Sequence, residues 1–371
     1  KLKIIYNNSI FFTQKMGGIS RYYYSLFYYL KKNNINFEVI SPIYKNVYLK
    51  YLDKKFKKGI YFSRYPIHGI INKLNNFFYN SIINSAKFDI FHDTYYSSPP
   101  NSIRNKKKII TVYDLIYEKF YEKIKFQNTI SYRKKIFEKM DHFICISENT
   151  KNDLIELYNI DEKKIDVIYL GSDHLTNDLL KISKNNSYFE TINFKKPFIL
   201  YVGSRNRYKN FKHLLDQISK SKKIQNDFNI VLFGGGKITI EEKKIINNLG
   251  MQLNNFIQLE GDDNFLSYLY NNARLFIFPS IYEGFGLPLL ESMNANCPVI
   301  CSNSKTFVEL GRDSVEYFEL EKKDSSIDKL NFLLYSDHRI NELKNLGKIR
   351  ARDFSWEKCS HQTISIYNKL K

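Results

Sequence analysis

Short β-branched and aromatic runs alternate with longer amphipathic stretches along the whole of this 371-residue chain, and that alternation narrows the fold most. Strand then helix, repeated, builds βαβ units around parallel sheets. The runs Leu2–Tyr6, Glu38–Ser41, Asp89–His92, Lys108–Tyr113, His142–Ile146 and Asp166–Tyr169 form one series. Phe198–Gly203, Asn229–Phe233, Phe256–Leu259, Leu275–Phe278 and Pro298–Cys301 form a second. Two series imply two sheets, and the length suits two α/β domains better than one core. Between them Lys181–Pro197 is polar, rich in Asn, Ser and Lys, and closed by a proline, as a linker should be. The predicted division is 1–185, 186–352 and a terminal segment 353–371. In that last segment Ser355 caps a helix and Trp356 anchors it against a packed surface.

The charge is uneven. Residues 1–185 hold 31 Lys and Arg against 17 Asp and Glu, an excess of 14; residues 186–371 hold 26 against 21, an excess of 5. A basic half concentrates anions such as phospholipid headgroups, phosphorylated substrates or nucleic acid. The alternative is ordinary solvated surface in a chain that uses Lys, Asn, Ile and Tyr throughout. Two stretches mix cations with aromatics in the manner of a lipid-facing surface, Tyr48–Lys58 and Lys106–Lys108. The aromatic helix Tyr22–Tyr29 reads instead as packed core. Cys145, Cys297, Cys301 and Cys359 lack paired metal-site spacing and read as reduced. No run approaches the roughly 18 apolar residues of a membrane span, and no leader with a cleavage site is visible. A cytoplasmic protein, peripheral at most on the inner face of the membrane, is expected.

The sharpest local feature is Glu283-Gly-Phe-Gly-Leu-Pro-Leu-Leu-Glu291, directly after the strand Leu275–Phe278 and the turn Pro279-Ser280. Pro288 suits a first helical turn, so the segment reads as a glycine loop feeding a helix. Unpaired N–H groups and the positive dipole end there favour an anion, with a diphosphate as the natural guest. Glu283 lies before the loop and Glu291 one turn into the helix, so they flank one site. Each carboxylate can accept from sugar hydroxyls, one from the transferred sugar and one from a ribose. A surface turn with two solvated glutamates is the plainer alternative, and the Gly-Phe-Gly-Leu-Pro context argues against it. A second loop, Gly203-Ser-Arg205 through Lys209, carries Arg205, Arg207 and Lys209 to a strand's C-terminal end, where open α/β sheets bind ligands. Cations at a helix start oppose its dipole, which favours function over local stability.

Several further segments occur in matching order: Gly17-Gly-Ile-Ser-Arg-Tyr22, Thr111-Val-Tyr-Asp-Leu-Ile116, Ile144–Thr150, Val167–Asp173, Leu200–Asn210 and Phe354-Ser-Trp-Glu357. With the E-x7-E segment they make the chain resemble, over nearly its whole length, the retaining GT-B glycosyltransferases of family 4. The resemblance implies two facing Rossmann-like domains with a cleft between them and a C-terminal helix packing back on the first. It implies a nucleoside-diphosphate sugar, GDP-mannose or a UDP-sugar, held by the C-terminal half. The implied acceptor is a surface glycan, carried on lipid. On this resemblance Glu283, Arg205 and Lys209 are catalytic, the cations stabilising the departing diphosphate. Gly17, Gly18, Phe285, Gly286, Leu287 and Glu291 bind the donor, and His92, Tyr113 and Asp114 are candidate sugar or acceptor contacts. The family commonly has His where Tyr113 stands, which leaves the hexose open. No cofactor and no metal are expected, since no Asp-x-Asp occurs. Gly234-Gly-Gly236 lacks dinucleotide-fold spacing. Alternatives are a basic membrane- or nucleic-acid-binding module, a transferase acting on a soluble acceptor, or a phosphorylase. The acidic pair argues against a nucleic-acid groove, and no nucleic acid is expected.

Overall fold

The computed structural model describes residues 2–64, 68–120, 123–173, 194, 196–205, 207–322 and 324–371. Most of the linker expected at 181–197 lies outside them. The chain divides into two compact units, one running to Gly171 and taking up Trp356–Lys371, the other Ser172–Ser355.

The first unit holds a seven-stranded parallel sheet of β1 Lys3–Tyr6, β2 Asn36–Tyr44, β3 Lys57–Tyr61, β4 Ile90–Asp93, β5 Lys107–Val112, β6 His142–Cys145 and β7 Ile165–Val167. The order is β3-β2-β1-β4-β5-β6-β7, with register such as Ile4 beside Phe37 and Ile90. Its core is aromatic: Tyr6 meets Phe27 edge to face at 4.8 Å, and Phe27 stacks on Phe37 at 5.1 Å. Tyr22, Tyr23 and Phe27 on the helix Gly18–Lys32 are all buried, the packed face expected there.

The last helix, Trp356–Leu370, packs against Gly18–Lys32. Trp356 is fully buried. The Tyr367 hydroxyl lies 2.7 Å from that of Tyr6 and 2.6 Å from His92 Nδ1, so the final helix is hydrogen-bonded into the first sheet.

The second unit holds a six-stranded sheet of β8 Phe198–Val202, β9 Asn229–Phe233, β10 Phe256–Leu259, β11 Leu275–Phe278, β12 Val299–Ser302 and β13 Glu316–Phe318, all parallel. Its order is β10-β9-β8-β11-β12-β13. Leu214 and Leu215 from one helix and Leu330 and Leu333 from another close over Ile199, Ile230 and Ile277 in one core.

Two strands went unread from sequence, β3 and β13, and both are sheet edges. β3 reads Lys-Lys-Gly-Ile-Tyr with three exposed residues, and β13 has three residues, one of them buried. Edge strands bury too little to show the apolar run by which the inner strands are recognised.

In each sheet the first strand is flanked by strands whose connections leave on opposite sides, β2 and β4 around β1, β9 and β11 around β8. The crevices beyond the C-terminal ends of β1/β4 and β8/β11 are where such sheets take ligands.

Candidate active site

The β8/β11 switch point is built from two loops. After β8, the chain passes Gly203 and a short 3-10 turn, Arg207–Lys209, before the helix Phe211–Ser219. After β11 it passes Glu283 to Gly286 and enters the helix Leu287–Asn294 with Pro288 in its first turn. The loops are joined where the Ile281 amide donates to the Tyr208 carbonyl at 2.8 Å. This brings together Lys209 and Glu283, 74 residues apart, with Nζ 2.6 Å from Oε1. Both side chains are mostly buried, and the Phe278 ring lies 5.4 Å from the ammonium. A low-dielectric surrounding strengthens such a pair and also holds the cation in place. Thr306 Oγ1 donates to the Glu283 carbonyl at 2.7 Å and steadies the loop, a contact with no signal in the sequence.

Gly286 begins the helix at φ 113°, and a Cβ there would lie 3.1 Å from the Phe307 ring. Conformation and space both call for glycine. Among the described residues no side chain caps this helix, the arrangement that leaves a helix's first N–H groups for an anion. Phe285 is buried and meets Phe354 edge to face at 6.3 Å. Phe285 therefore sets the loop rather than lining a surface. Leu287 is half-buried at the helix start, and Glu291 is buried one turn further on.

Arg205 is placed otherwise than expected. Nε donates to Glu242 at 2.7 Å, Nη1 to Gly234 O and Gln258 Oε1, and Nη2 to Gly236 O and Lys237 O at 3.0 Å. All five guanidinium donors go to protein oxygens. The role this gives Arg205 is to hold the Gly234–Gly236 turn, whose three residues have φ between 72° and 76°. Glu242 is itself fixed, closing a capping box with Thr239 on the helix Ile240–Asn248.

In the first unit, His92 is corrected from a sugar contact to a structural residue. It is wholly buried, with Nδ1 on Tyr367 and Nε2 2.9 Å from Thr111 Oγ1. Burial pushes its pKa down to about 3, so it stays neutral. Tyr113 is likewise buried, its ring edge-on to Tyr22 and Tyr23, and offers a sugar no open face. Asp114 is half-buried; its Oδ1 accepts from the Ile116 amide, and its carbonyl accepts from Tyr96 and Arg133. Arg133 is in turn paired with buried Glu118 at 2.9 Å. Gly17 caps the helix Gly18–Lys32, and Gly17 and Gly18 are both half-buried.

Sequence reading missed a polar cluster at the β1/β4 switch point. Asp93 accepts from the Ser97 amide at 2.8 Å, from the Ser97 hydroxyl at 2.7 Å and from Asn7 Nδ2. Burial pushes its carboxyl up to about 6. The available signal was Asp93 following His92 at a strand's C-terminal end.

Among the described residues no group of three or more His, Cys, Asp or Glu could hold a metal ion, and no helix is long and apolar enough to cross a membrane.

Two Rossmann-like units, with a basic loop, a glycine loop and a carboxylate meeting at one switch point, define the GT-B class. Residues 16–174 match the family model of Glycosyltransferase Family 4, and residues 183–350 that of Glycosyl transferases group 1. The chain belongs to this family of group 1, family 4 glycosyltransferases. It is similar to O-antigen chain mannosyltransferase B of Escherichia coli, 39% identical over 29% of this chain and 28% of that one. It is similar also to the N-acetylgalactosamine-N,N'-diacetylbacillosaminyl-diphospho-undecaprenol 4-alpha-N-acetylgalactosaminyltransferase of Campylobacter jejuni, 27% identical over 62% of this chain. The matched region spans about three fifths of that relative, 60% of its length. The crystal structure of a glycosyltransferase from Rickettsia africae superposes with a TM-score of 0.71 at 22% identity, covering 100% of this chain and 98% of that one.

Proposed function

We propose that the chain transfers a hexose from a nucleoside-diphosphate sugar, GDP-mannose or a UDP-sugar, to a glycan acceptor, with retention of anomeric configuration and without a metal. The observation that carries this reading is the Lys209–Glu283 pair at the β8/β11 switch point, beside a helix start that no side chain caps. A diphosphate seated there takes up the lysine's charge, and the released Glu283 carboxylate turns to hydroxyls of the transferred sugar. Glu291, on the same helix, accepts from the ribose. As the glycosidic bond breaks, negative charge grows on the leaving diphosphate, and a cation already held in position stabilises it without reorganisation. Arg205 supports the site from behind by fixing the glycine turn.

The acceptor in this reading is a growing surface glycan on a lipid carrier, reached from the inner face of the cytoplasmic membrane. The name of the Campylobacter relative, a transferase acting on a diphospho-undecaprenol-linked sugar, supports it. Titration with UDP, GDP and ADP tests the donor half: one binds, and Glu291→Ala weakens that binding. Donor hydrolysis or transfer persists in EDTA. A protein that ignores all three nucleotides is a binding module, and activity abolished by EDTA and restored by metal overturns the metal-free mechanism.

A further inference from the structure

The loops that leave β8 and β9 touch at a point with no room for a side chain. A Cβ on Gly235 would lie 2.6 Å from the Gly203 carbonyl oxygen and 3.2 Å from Ser204 Cα. The loop it meets is the one that carries Lys209 to the site. Gly235 and Gly236 are exposed, and among the described residues their amides donate to no protein oxygen. Those two donors are open to a ligand at the edge of the β8/β11 site.

Three consecutive glycines do not keep such a shape unaided, because glycine loses more conformational freedom on ordering than any other residue. The hold comes from Arg205. Its two terminal nitrogens reach the carbonyls of Gly234 at 3.4 Å, Gly236 at 3.0 Å and Lys237 at 3.0 Å, so one side chain spans the turn. Gln258 of β10 braces it, accepting from Nη1 at 3.2 Å while donating to the Gly234 carbonyl at 3.0 Å.

The Arg205 side chain is only 4% exposed, and a guanidinium so enclosed needs a countercharge. Glu242 supplies it and does two jobs at once. Oε1 accepts from Arg205 Nε at 2.7 Å, and Oε2 accepts from the Thr239 amide at 2.7 Å. A carboxylate has an acceptor for each; a carboxamide has one oxygen, and its nitrogen only donates. Glu241, one residue earlier on the same helix, is exposed.

We propose that Glu242 is a positioning residue for the donor: by fixing Arg205 it keeps the Gly234–Gly236 turn in the form that receives the nucleotide. An arginine whose donors are all taken cannot follow charge growing on a leaving group. Its influence passes through the turn, which meets ground state and transition state alike, so its loss shows in binding rather than in turnover. This rests on the transferase reading and assigns the second unit a residue that shapes the site without touching substrate.

The test is calorimetric titration of the full chain with whichever of UDP, GDP and ADP the wild type binds, followed by donor hydrolysis with the matching nucleotide sugar. Glu242→Gln should weaken nucleotide binding about tenfold and raise the donor's Michaelis constant comparably, with turnover little changed. Glu241→Gln removes the same charge one residue away and should match wild type. Thr239→Ala loses the hydroxyl that caps this helix but keeps the amide that Glu242 accepts from, so it should lower the melting temperature and spare the affinity. Equal loss of affinity in Thr239→Ala and Glu242→Gln would make Glu242 a helix cap and nothing more, and would overturn the proposal. So would tighter binding by Glu242→Gln, for then Arg205 leaves Glu242 to meet the diphosphate itself, and so would binding equal to wild type. A wild type that binds none of the three nucleotides removes the transferase reading and this proposal together, whereas a change confined to the variants bears on Glu242 alone.

Discussion

Lys209 is held by Glu283 at 2.6 Å, and on the proposed mechanism donor binding exchanges one anion for another around a cation that hardly moves. Ground-state binding then gains little from Lys209, while the leaving group's growing charge gains much. Lys209→Ala should lower turnover by about 100- to 1,000-fold and change the Michaelis constant far less. Steady-state kinetics with the donor varied decide it; an elevated Michaelis constant at normal turnover would make Lys209 a tether. His92 gives a pH prediction. Its folded pKa is pushed down to about 3, so its contribution to stability is full above its ordinary value near 6.5 and is lost as pH falls below that. From about pH 7.5 to about pH 5.5 it should account for a loss of about 1.4 kcal/mol in urea denaturation. His92→Gln should be less stable overall and lose less over that interval. The glycine loop running from Glu283 into the helix Leu287–Asn294 was legible because its signals are local, a strand, two glycines and Pro288 in succession, whereas the pairing of Glu283 with Lys209, 74 residues away, was not. The contacts of Arg205 and His92 were not legible because their partners are remote: Gln258 and Glu242 for one, Tyr367, 275 residues away, for the other. Nothing near either residue announces those oxygens.

Among the elements, strands buried on both faces betrayed themselves by continuous apolar runs, as in Phe198–Val202 and Asn229–Phe233, where every residue is buried. The edge strands β3 and β13 did not, and Lys57–Tyr61 looked like a cationic surface because much of it is one. Closure of the first unit by its last helix depends on a close approach with no room to spare. A Cβ on Gly171 would lie 2.2 Å from the Trp356 amide nitrogen and 2.6 Å from the indole ring, and backbone cannot yield as a flexible side chain can. Gly171→Ala should therefore cost about 1–3 kcal/mol or more by overpacking. Denaturant unfolding measures this directly; an unchanged midpoint would mean that the helix shifts freely and is not locked at its start. The family's Phe-Ser-Trp-Glu segment and Val167–Asp173, which holds Gly171, were both visible in sequence, whereas their contact across 185 residues was not.

At the scale of the whole molecule, charge is uneven along the chain, an excess of 14 positive charges in residues 1–185 against 5 in the rest. The run Lys54–Phe88, with seven Lys or Arg and no Asp or Glu, carries part of that excess. The division of the chain has another consequence. Residues of the first unit are translated first, yet its packing includes Trp356, buried without exposure, and Tyr367, which bridges Tyr6 and His92. Domains ordinarily mature on the ribosome in the order of their synthesis. Here the unit that leaves the exit tunnel first must wait, its aromatic core incompletely covered, until the second has emerged and the helix Trp356–Leu370 follows it. Of the two units, the one begun first is the last to be finished, and chaperones have their longest opportunity there.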